Sequence, residues 1–153
     1  MQLTKNFNLS EFACNDGAVV PLKLIENVKL LAHQLQVLRD YYDAPIKINS
    51  AYRSPAYNKG KGVSKSKHMT GQAIDVRVTG DYDTRASFVV AASRAGFTGI
   101  GIYSTFIHLD TAGRRAWVAG ESSTPSDYPV PSSQVDRFVQ LSYRHDADKL
   151  RTV

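Results

Sequence analysis

Two histidines and one aspartate of this sequence could together bind a metal ion. His68 and Asp75 lie close in the chain, and His108 follows on a later segment. Two imidazole nitrogens and a carboxylate oxygen are a ligand set of catalytic zinc, which keeps its fourth position open for water. His33 and His145 have no acidic residue at ligand spacing, which favours surface or packing roles for them. The pattern predicts a zinc site at His68, Asp75 and His108, with unrelated polar surface residues as the alternative.

Asp110 is a second acidic residue that belongs near this set. Side chains two residues apart on a strand share a face, so we expect Asp110 and His108 on one side of a sheet. The carboxylate could hydrogen-bond to a metal ligand, or it could act as a general base toward the water. The spacing alone leaves both roles open.

Two helices are predicted around the first motif. Apolar residues at three- and four-residue spacing predict a helix of about 20 residues that Pro21 opens. The segment 43–45, with its proline, ends that helix. A second helix is predicted from a cap at Asp83 or Thr84, with Gly96 as its C-terminal stop.

Alternation of apolar and polar residues predicts the strands that carry the ligands. They cover 46–49, 73–78, 99–103 and 106–110, with 115–118 as a further candidate. The stretch 54–71 is rich in Ser, Gly, Lys and Asn, which predicts a long functional loop that contains His68 near its end. Helices and strands in this order predict an α+β fold with a central, mostly antiparallel sheet packed by helices.

Length and composition are those of one ordinary folded unit. The chain has 153 residues, of which 42% are hydrophobic and 22% charged, so a single domain over 1–153 is predicted. A short helix over about 133–143 and a frayed tail are expected in the C-terminal part, 121–153. Disorder, collagen and a coiled coil are excluded as descriptions of the whole chain. No apolar run approaches the roughly 18 residues of a membrane span.

Net charge and cysteine content limit which partners, disulfides and metal sites are expected. The net charge of +5 favours adsorption to anionic polymers. The lysines at 59, 61, 65 and 67 have no recognition motif beside them, so a solvated basic loop is favoured over a nucleic-acid site. Cys14 is the only cysteine, which excludes an internal disulfide and a cysteine-based zinc finger. The N-terminal residues lack a signal-peptide pattern, so synthesis in a cytoplasm is expected.

Four ordered blocks of the sequence carry a family resemblance. They are Ser50-Ala-Tyr-Arg53, Ser66-Lys-His68-Met-Thr-Gly71-Gln-Ala73-Ile-Asp75, Gly99-Ile-Gly-Ile-Tyr103 and Phe106-Ile-His108-Leu-Asp110, followed by Arg115-Ala-Trp117. The blocks resemble the zinc D-alanyl-D-alanine carboxypeptidase family, which includes peptidoglycan endopeptidases and has relatives among phage endolysins. The resemblance covers about residues 5–120. It implies a hedgehog/DD-peptidase-like fold.

The resemblance also implies roles for individual residues. His68, Asp75 and His108 would bind one Zn²⁺ ion. Arg53 would bind a substrate carbonyl or carboxylate and stabilise the developing oxyanion. The implied activity is zinc-dependent hydrolysis of peptide bonds in peptidoglycan stem peptides or cross-links, as a D,D-carboxypeptidase or an endopeptidase.

One departure from the family pattern affects the general base. Several branches of the family place a Glu or Asp three residues before the last histidine ligand, where this sequence has Thr105. A threonine hydroxyl is not a useful base near neutral pH. Asp110 is interpreted as the substitute, because it shares a face with His108, and Tyr103 is a candidate transition-state donor.

The expected setting is lysis of the bacterial cell wall by a phage. A monomer made in the host cytoplasm would reach the wall, in the periplasm or outside, through a holin or with the virion. The alternative that Thr105 keeps open is a non-catalytic zinc-containing module on the same fold, with a wall-binding or phage structural role. A basic nucleic-acid-binding protein is a third hypothesis, which only the lysines support.

Overall fold

The described part of the chain is organised around a five-stranded sheet. The computed structural model describes residues 1–60, 64–79, 82–103, 105–111 and 115–118. The strands are β1 (Ile48–Ser50), β2 (Ala73–Arg77), β3 (Gly99–Ile102), β4 (Phe106–Asp110) and β5 (Arg115–Val118). Their spatial order is β1-β2-β4-β3-β5, and all pairs are antiparallel except β3 with β5. The predicted α+β fold with a mostly antiparallel sheet is confirmed.

Three helices accompany the sheet within the described ranges. They are α1 (Ile25–Tyr42), α2 (Pro55–Asn58) and α3 (Tyr82–Arg94). The two longer helices pack against each other, and their apolar residues share one buried cluster with residues of the sheet. None of these helices is both long enough and apolar enough to cross a membrane.

Alternation along the central strands separates the core from the polar residues. Ile74 and Val76 of β2, with Ile107 and Leu109 of β4, are fully buried in the apolar cluster that includes α1 and α3. Successive side chains of a strand point to opposite faces. The residues between them, which include Asp75 and His108, therefore lie on the face that turns away from the two long helices.

The first helix begins later than predicted. Pro21 precedes a 3₁₀ turn at Leu22–Leu24, and the α-helix starts only at Ile25. The helix ends where predicted, because Asp43 takes a left-handed conformation with φ of 56°. Its N–H donates to the Arg39 carbonyl, which satisfies one of the last carbonyl groups of the helix.

The stretch 54–71 is not an uninterrupted loop, and that prediction is wrong. The Ser54 hydroxyl accepts the N–H of Tyr57, and Pro55 supplies a helical φ at the first position, so the short helix α2 forms here. A 3₁₀ turn follows at Lys67–Thr70. The combination of an N-cap serine with proline was the local signal for α2.

Other boundaries differ by a few residues. Strand β1 covers 48–50 rather than 46–49, and it pairs with β2 across a register irregularity. Helix α3 starts at Tyr82, so it begins before Asp83 and Thr84, the two residues that were predicted to precede it. Gly96, with φ of 94°, follows the helix end as predicted. The predicted C-terminal helix and tail, and His145, lie outside the described residues.

Candidate metal centre

Asp75 lies at the centre of the polar cluster on the face of the sheet that turns away from the two long helices. It is the direct partner of His108 in the antiparallel pair of β2 and β4. The Asp75 Oδ1 atom lies 3.0 Å from Nδ1 of His108 and 3.3 Å from Nε2 of His68. One ligand atom from each of the three residues lies within 4.8 Å of the other two. The structure therefore brings together the three residues that the sequence predicts as ligands.

His68 reaches this cluster from the 3₁₀ turn. The Ser66 hydroxyl accepts the backbone N–H of His68 and so begins the turn. Gly71 ends the turn in a left-handed conformation with φ of 72°. A β-carbon there would lie 2.9 Å from Cγ2 of Val28, so both the backbone conformation and the packing require glycine.

The ring of His68 is oriented by a backbone carbonyl. Its Nδ1 lies 2.7 Å from the carbonyl oxygen of Ala51. A carbonyl oxygen can only accept, so Nδ1 carries the proton in this bond. Nε2 is then the nitrogen with a free electron pair, and it faces Asp75. The backbone N–H of Arg53 also donates to the His68 carbonyl, so the segment 51–53 holds His68 at two points.

The ring of His108 is oriented by a carboxylate. Its Nε2 lies 2.7 Å from Oδ2 of Asp110, whose side chain is fully buried. Because an ionised carboxylate accepts, Nε2 donates in this bond. Nδ1 is left as the nitrogen that faces Asp75. The two histidines thus present different ring nitrogens, Nε2 from one and Nδ1 from the other, to the same carboxylate oxygen.

Arg53 binds the other oxygen of Asp75. Its Nη2 donates to Oδ2 of Asp75 at 3.1 Å, and its Nε donates to the hydroxyl of Ser50 at 3.2 Å. The arginine side chain is only 16% exposed. Asp75 therefore uses Oδ2 for the guanidinium and keeps Oδ1 for the two imidazoles.

The charges of the cluster shift two pKa values in opposite directions. Burial by itself raises the pKa of Asp75, but its close contacts with the imidazoles of His108 and His68 lower it well below its usual value. Burial by itself lowers the pKa of His108, but its bonds to Asp110 and Asp75 raise it above its usual value. Without a metal ion, the site therefore favours an ionised carboxylate on Asp75 beside a protonated imidazole on His108. A bound cation could supply the positive charge in place of that proton.

The three residues fit a metal ion in chemistry and in spacing. Tetrahedral zinc with bonds of about 2.0–2.1 Å holds its ligand atoms about 3.3 Å apart. The separations of Oδ1 of Asp75 from the two imidazole nitrogens, 3.0 and 3.3 Å, are close to that value. Histidines that bind metal usually donate their other ring N–H to a carbonyl or a carboxylate. His68 and His108 both do so.

Comparison with known proteins agrees with this geometry. The family model described as peptidase M15 matches residues 3–110, which includes every residue of the cluster. The chain belongs to this family. The family resemblance of the four sequence blocks is thereby confirmed.

Individual relatives of this M15 chain share part of its length. The peptidoglycan L,D-endopeptidase MepK of Escherichia coli K12 is 36% identical over 81 residues, which are 48% of this chain and 43% of MepK. The probable peptidoglycan L,D-endopeptidase MepK of Haemophilus influenzae is 32% identical over 103 residues, 62% of this chain and 54% of that protein. The chain therefore spans about half the length of the curated relatives that it matches.

Among solved structures, the chain is similar to the Serratia marcescens L-Ala D-Glu endopeptidase ChiX. The identity is 25% and the TM-score is 0.38, over 50% of this chain and 70% of that protein.

The other residues singled out in the sequence lie at different distances from the ligands. Asp110 and Arg53 contact them directly. Tyr103 lies at the end of β3, where its ring stacks on Phe106 with centroids 4.3 Å apart. Thr105 is exposed in the turn that leads into β4, and its carbonyl accepts the N–H of Val78.

Two contacts of the site were missed in the sequence. Ser50 holds the Arg53 guanidinium, and its position in the first sequence block was the available signal. Ala51 orients His68 through its carbonyl oxygen. No side-chain pattern could have revealed that contact, because every residue carries a carbonyl group.

Proposed function

We propose that this chain is a zinc-dependent peptidase that hydrolyses peptide bonds of peptidoglycan. The observation that carries the proposal is the convergence of His68 Nε2 and His108 Nδ1 on Oδ1 of Asp75, in a chain of the M15 family. These are the three residues that would hold the ion. Bound zinc lowers the pKa of water toward about 7 and polarises a carbonyl group, which is the chemistry that peptide hydrolysis needs.

Arg53 is the group that we assign to the substrate oxygen. A guanidinium has five N–H donors in a fixed fork, and the bonds to Asp75 and Ser50 use only part of them. The remaining donors can bind a carbonyl or carboxylate of the substrate and stabilise negative charge that develops on the oxygen. The bonds to Asp75 and Ser50 hold the guanidinium, and with it the positive charge, in a fixed position before substrate binds.

For Asp110, the geometry favours the first of the two roles that the sequence leaves open. Its carboxylate accepts from Nε2 of His108, which is on the side of the ring opposite to the nitrogen that faces Asp75. A group in that position fixes the ring and its tautomer. We therefore propose that Asp110 orients His108, and we prefer this to the interpretation that it is the general base.

The names of the relatives favour an L,D-endopeptidase. Both MepK proteins carry the name peptidoglycan L,D-endopeptidase. Cleavage of L,D peptide bonds of peptidoglycan is accordingly the specificity we propose, in place of the D,D-carboxypeptidase activity. The net charge of +5 would help the protein adhere to an anionic cell envelope. The phage setting, the route to the wall and the monomeric state stay predictions of the sequence.

Digestion of isolated sacculi tests this function. The purified protein should release peptides whose masses identify the bond cut, a chelator should stop the release, and added zinc should restore it. His68→Ala should abolish release, whereas the matched control His33→Ala, at an exposed position on α1, should leave it unchanged. Zinc that is retained without release from any type of sacculus would instead favour the non-catalytic module.

A further inference from the structure

Gly99 lies directly beneath the carboxylate that orients His108. It is the partner of Asp110 in the antiparallel pair of β3 and β4. A β-carbon at Gly99 would lie 2.1 Å from Oδ1, 2.4 Å from Cγ and 2.5 Å from Oδ2 of Asp110. Non-bonded carbon atoms pack at about 3.5–4.0 Å. The Asp110 carboxylate therefore occupies the space that any side chain at position 99 would need.

The requirement for glycine at this position is spatial and not conformational. The glycines with positive φ in the described ranges are Gly17, Gly71 and Gly96, and Gly99 is not among them. Position 99 lies in a strand whose backbone every residue type can adopt. Alanine would consequently be acceptable to the backbone of β3, and the closest conflicts would be with the side chain of Asp110.

Asp110 has only one way to yield to such a conflict. Its backbone belongs to β4, which pairs with β2 on one side and β3 on the other. Its carbonyl also accepts the N–H of Thr98, next to Gly99. Because the backbone is held at these points, the side chain has to rotate away from position 99. That rotation would take Oδ2 from its place 2.7 Å from Nε2 of His108.

We propose that Gly99 is a positioning residue of the metal centre, which acts through Asp110 on His108. Because Gly99 has no side chain, the buried carboxylate of Asp110 can lie over β3 and accept from Nε2 of His108. This bond turns Nδ1 of His108 toward Asp75. This inference rests on the metal site proposed above. It adds a residue without a side chain to the set that determines how well the site binds its ion.

The proposal is tested by zinc affinity in a double-mutant cycle. Loss of a partner of a metal ligand typically weakens binding by about 10–100-fold, and we expect that loss for both Gly99→Ala and Asp110→Ala. In the double variant the alanine at position 99 has no carboxylate to displace. Its affinity should therefore equal that of Asp110→Ala alone. Gly60→Ala is the matched control, because a β-carbon there meets no atom within 4 Å.

A second measurement reports on the same contact without any metal or activity. In the metal-free wild type, the Nε2 proton of His108 is held by a buried carboxylate and should give a slowly exchanging signal in ¹H–¹⁵N spectra. Gly99→Ala should lose this signal, while Gly60→Ala keeps it. If Gly99→Ala fails to fold and the double variant folds, the steric conflict with Asp110 is supported directly.

Two results would overturn the proposal. The first is an unchanged zinc affinity and an unchanged Nε2 signal in Gly99→Ala. The second is a double variant whose affinity loss is the product of the two single losses, which would mean that Gly99 acts independently of Asp110. Neither result depends on hydrolysis, so a failure here is distinct from a failure of the peptidase function.

Discussion

Asp110 bonds to the nitrogen of His108 that points away from Asp75, at 2.7 Å from Nε2. The other nitrogen, Nδ1, lies 3.0 Å from Oδ1 of Asp75. One imidazole thus bridges two carboxylates, of which one is in the proposed ligand set and the other fixes the ring. This relationship explains how a strand motif of the form His-x-Asp can supply both a ligand and its support, since the two side chains share a face.

The first prediction separates the two roles considered for Asp110. If it orients His108, Asp110→Ala should weaken zinc binding by about 10–100-fold, because the ring loses its fixed tautomer. Competition with a chromophoric chelator measures this change. A general base would behave differently, with zinc affinity unchanged and only hydrolysis lost. Asp40→Ala, at an exposed position on α1, is the control and should change neither quantity.

Arg53 provides the second prediction. Arg53→Ala should lower kcat by about 10²–10³-fold, the usual effect of removing one donor to an oxyanion. Zinc should still bind, because the substitution leaves Oδ1 of Asp75 in place and the backbone bond from residue 53 to His68 intact. Arg53→Lys should recover little activity, since one ammonium group cannot reproduce the fork that spans Ser50 and Asp75.

Steady-state kinetics and zinc content measured on the same samples check this prediction. Arg39→Ala, on the helix that packs against the other face of the sheet, serves as the matched control. Loss of zinc in Arg53→Ala would contradict the assignment and would indicate that the guanidinium chiefly holds Asp75 in position.

Much of the site could be predicted from the sequence because strands impose a simple geometry. Alternation along 106–110 was enough to place Asp110 on the same face as His108, and alternation along 73–78 was enough to put Asp75 on a strand. Local rules were also sufficient for Gly96, where a helix ends in a left-handed residue. These features depend on residues that are close in the sequence, so the sequence pattern alone is sufficient to predict them.

Features that depend on contacts between distant segments could not be predicted in the same way. The orientation of His68 depends on the carbonyl of Ala51, and the place of Asp110 depends on free space above Gly99. Neither contact leaves a pattern of residue types within one segment. The two roles of Asp110 remained open for the same reason, because spacing gives the face of a strand but not the ring nitrogen that a carboxylate meets.

The pH dependence of the metal-free protein supplies the third prediction. The lowered pKa of Asp75 contributes stability that is present above its unfolded value of about 3.9 and is lost as the pH falls through the folded value. The raised pKa of His108 contributes stability that is complete below about 6.5 and is lost as the pH rises through the folded value. Together these two contributions favour a stability maximum between about pH 4 and pH 6.5 without metal.

Thermal unfolding in the presence of a chelator measures this profile. Asp75→Asn removes the carboxylate that interacts with both histidines, so the profile should flatten on the acid side. It should flatten only in part on the alkaline side, because Asp110 still raises the pKa of His108. An Asp75→Asn profile parallel to that of the wild type would contradict the assignment of the two shifts to this cluster. Added zinc should move the maximum to higher pH, since the ion competes with the proton on His108.

The fourth prediction concerns the turn that presents His68. Gly71→Ala should destabilise the protein for two separable reasons. The left-handed backbone conformation costs a residue with a β-carbon about 1–2 kcal/mol. The new methyl group would lie 2.9 Å from Cγ2 of Val28, and overpacking of this kind costs about 1–3 kcal/mol more.

Urea unfolding of Gly71→Ala, Val28→Ala and the double variant separates the two contributions. Val28→Ala removes the methyl group that the new side chain meets, so the double variant should be more stable than the sum of the single losses predicts. The backbone cost should persist in the double variant, because no neighbour can relieve a φ of 72°. Strict additivity would mean that Val28 yields without cost and that backbone strain alone explains the glycine. Zinc affinity should fall together with stability in Gly71→Ala, since the strained turn carries His68.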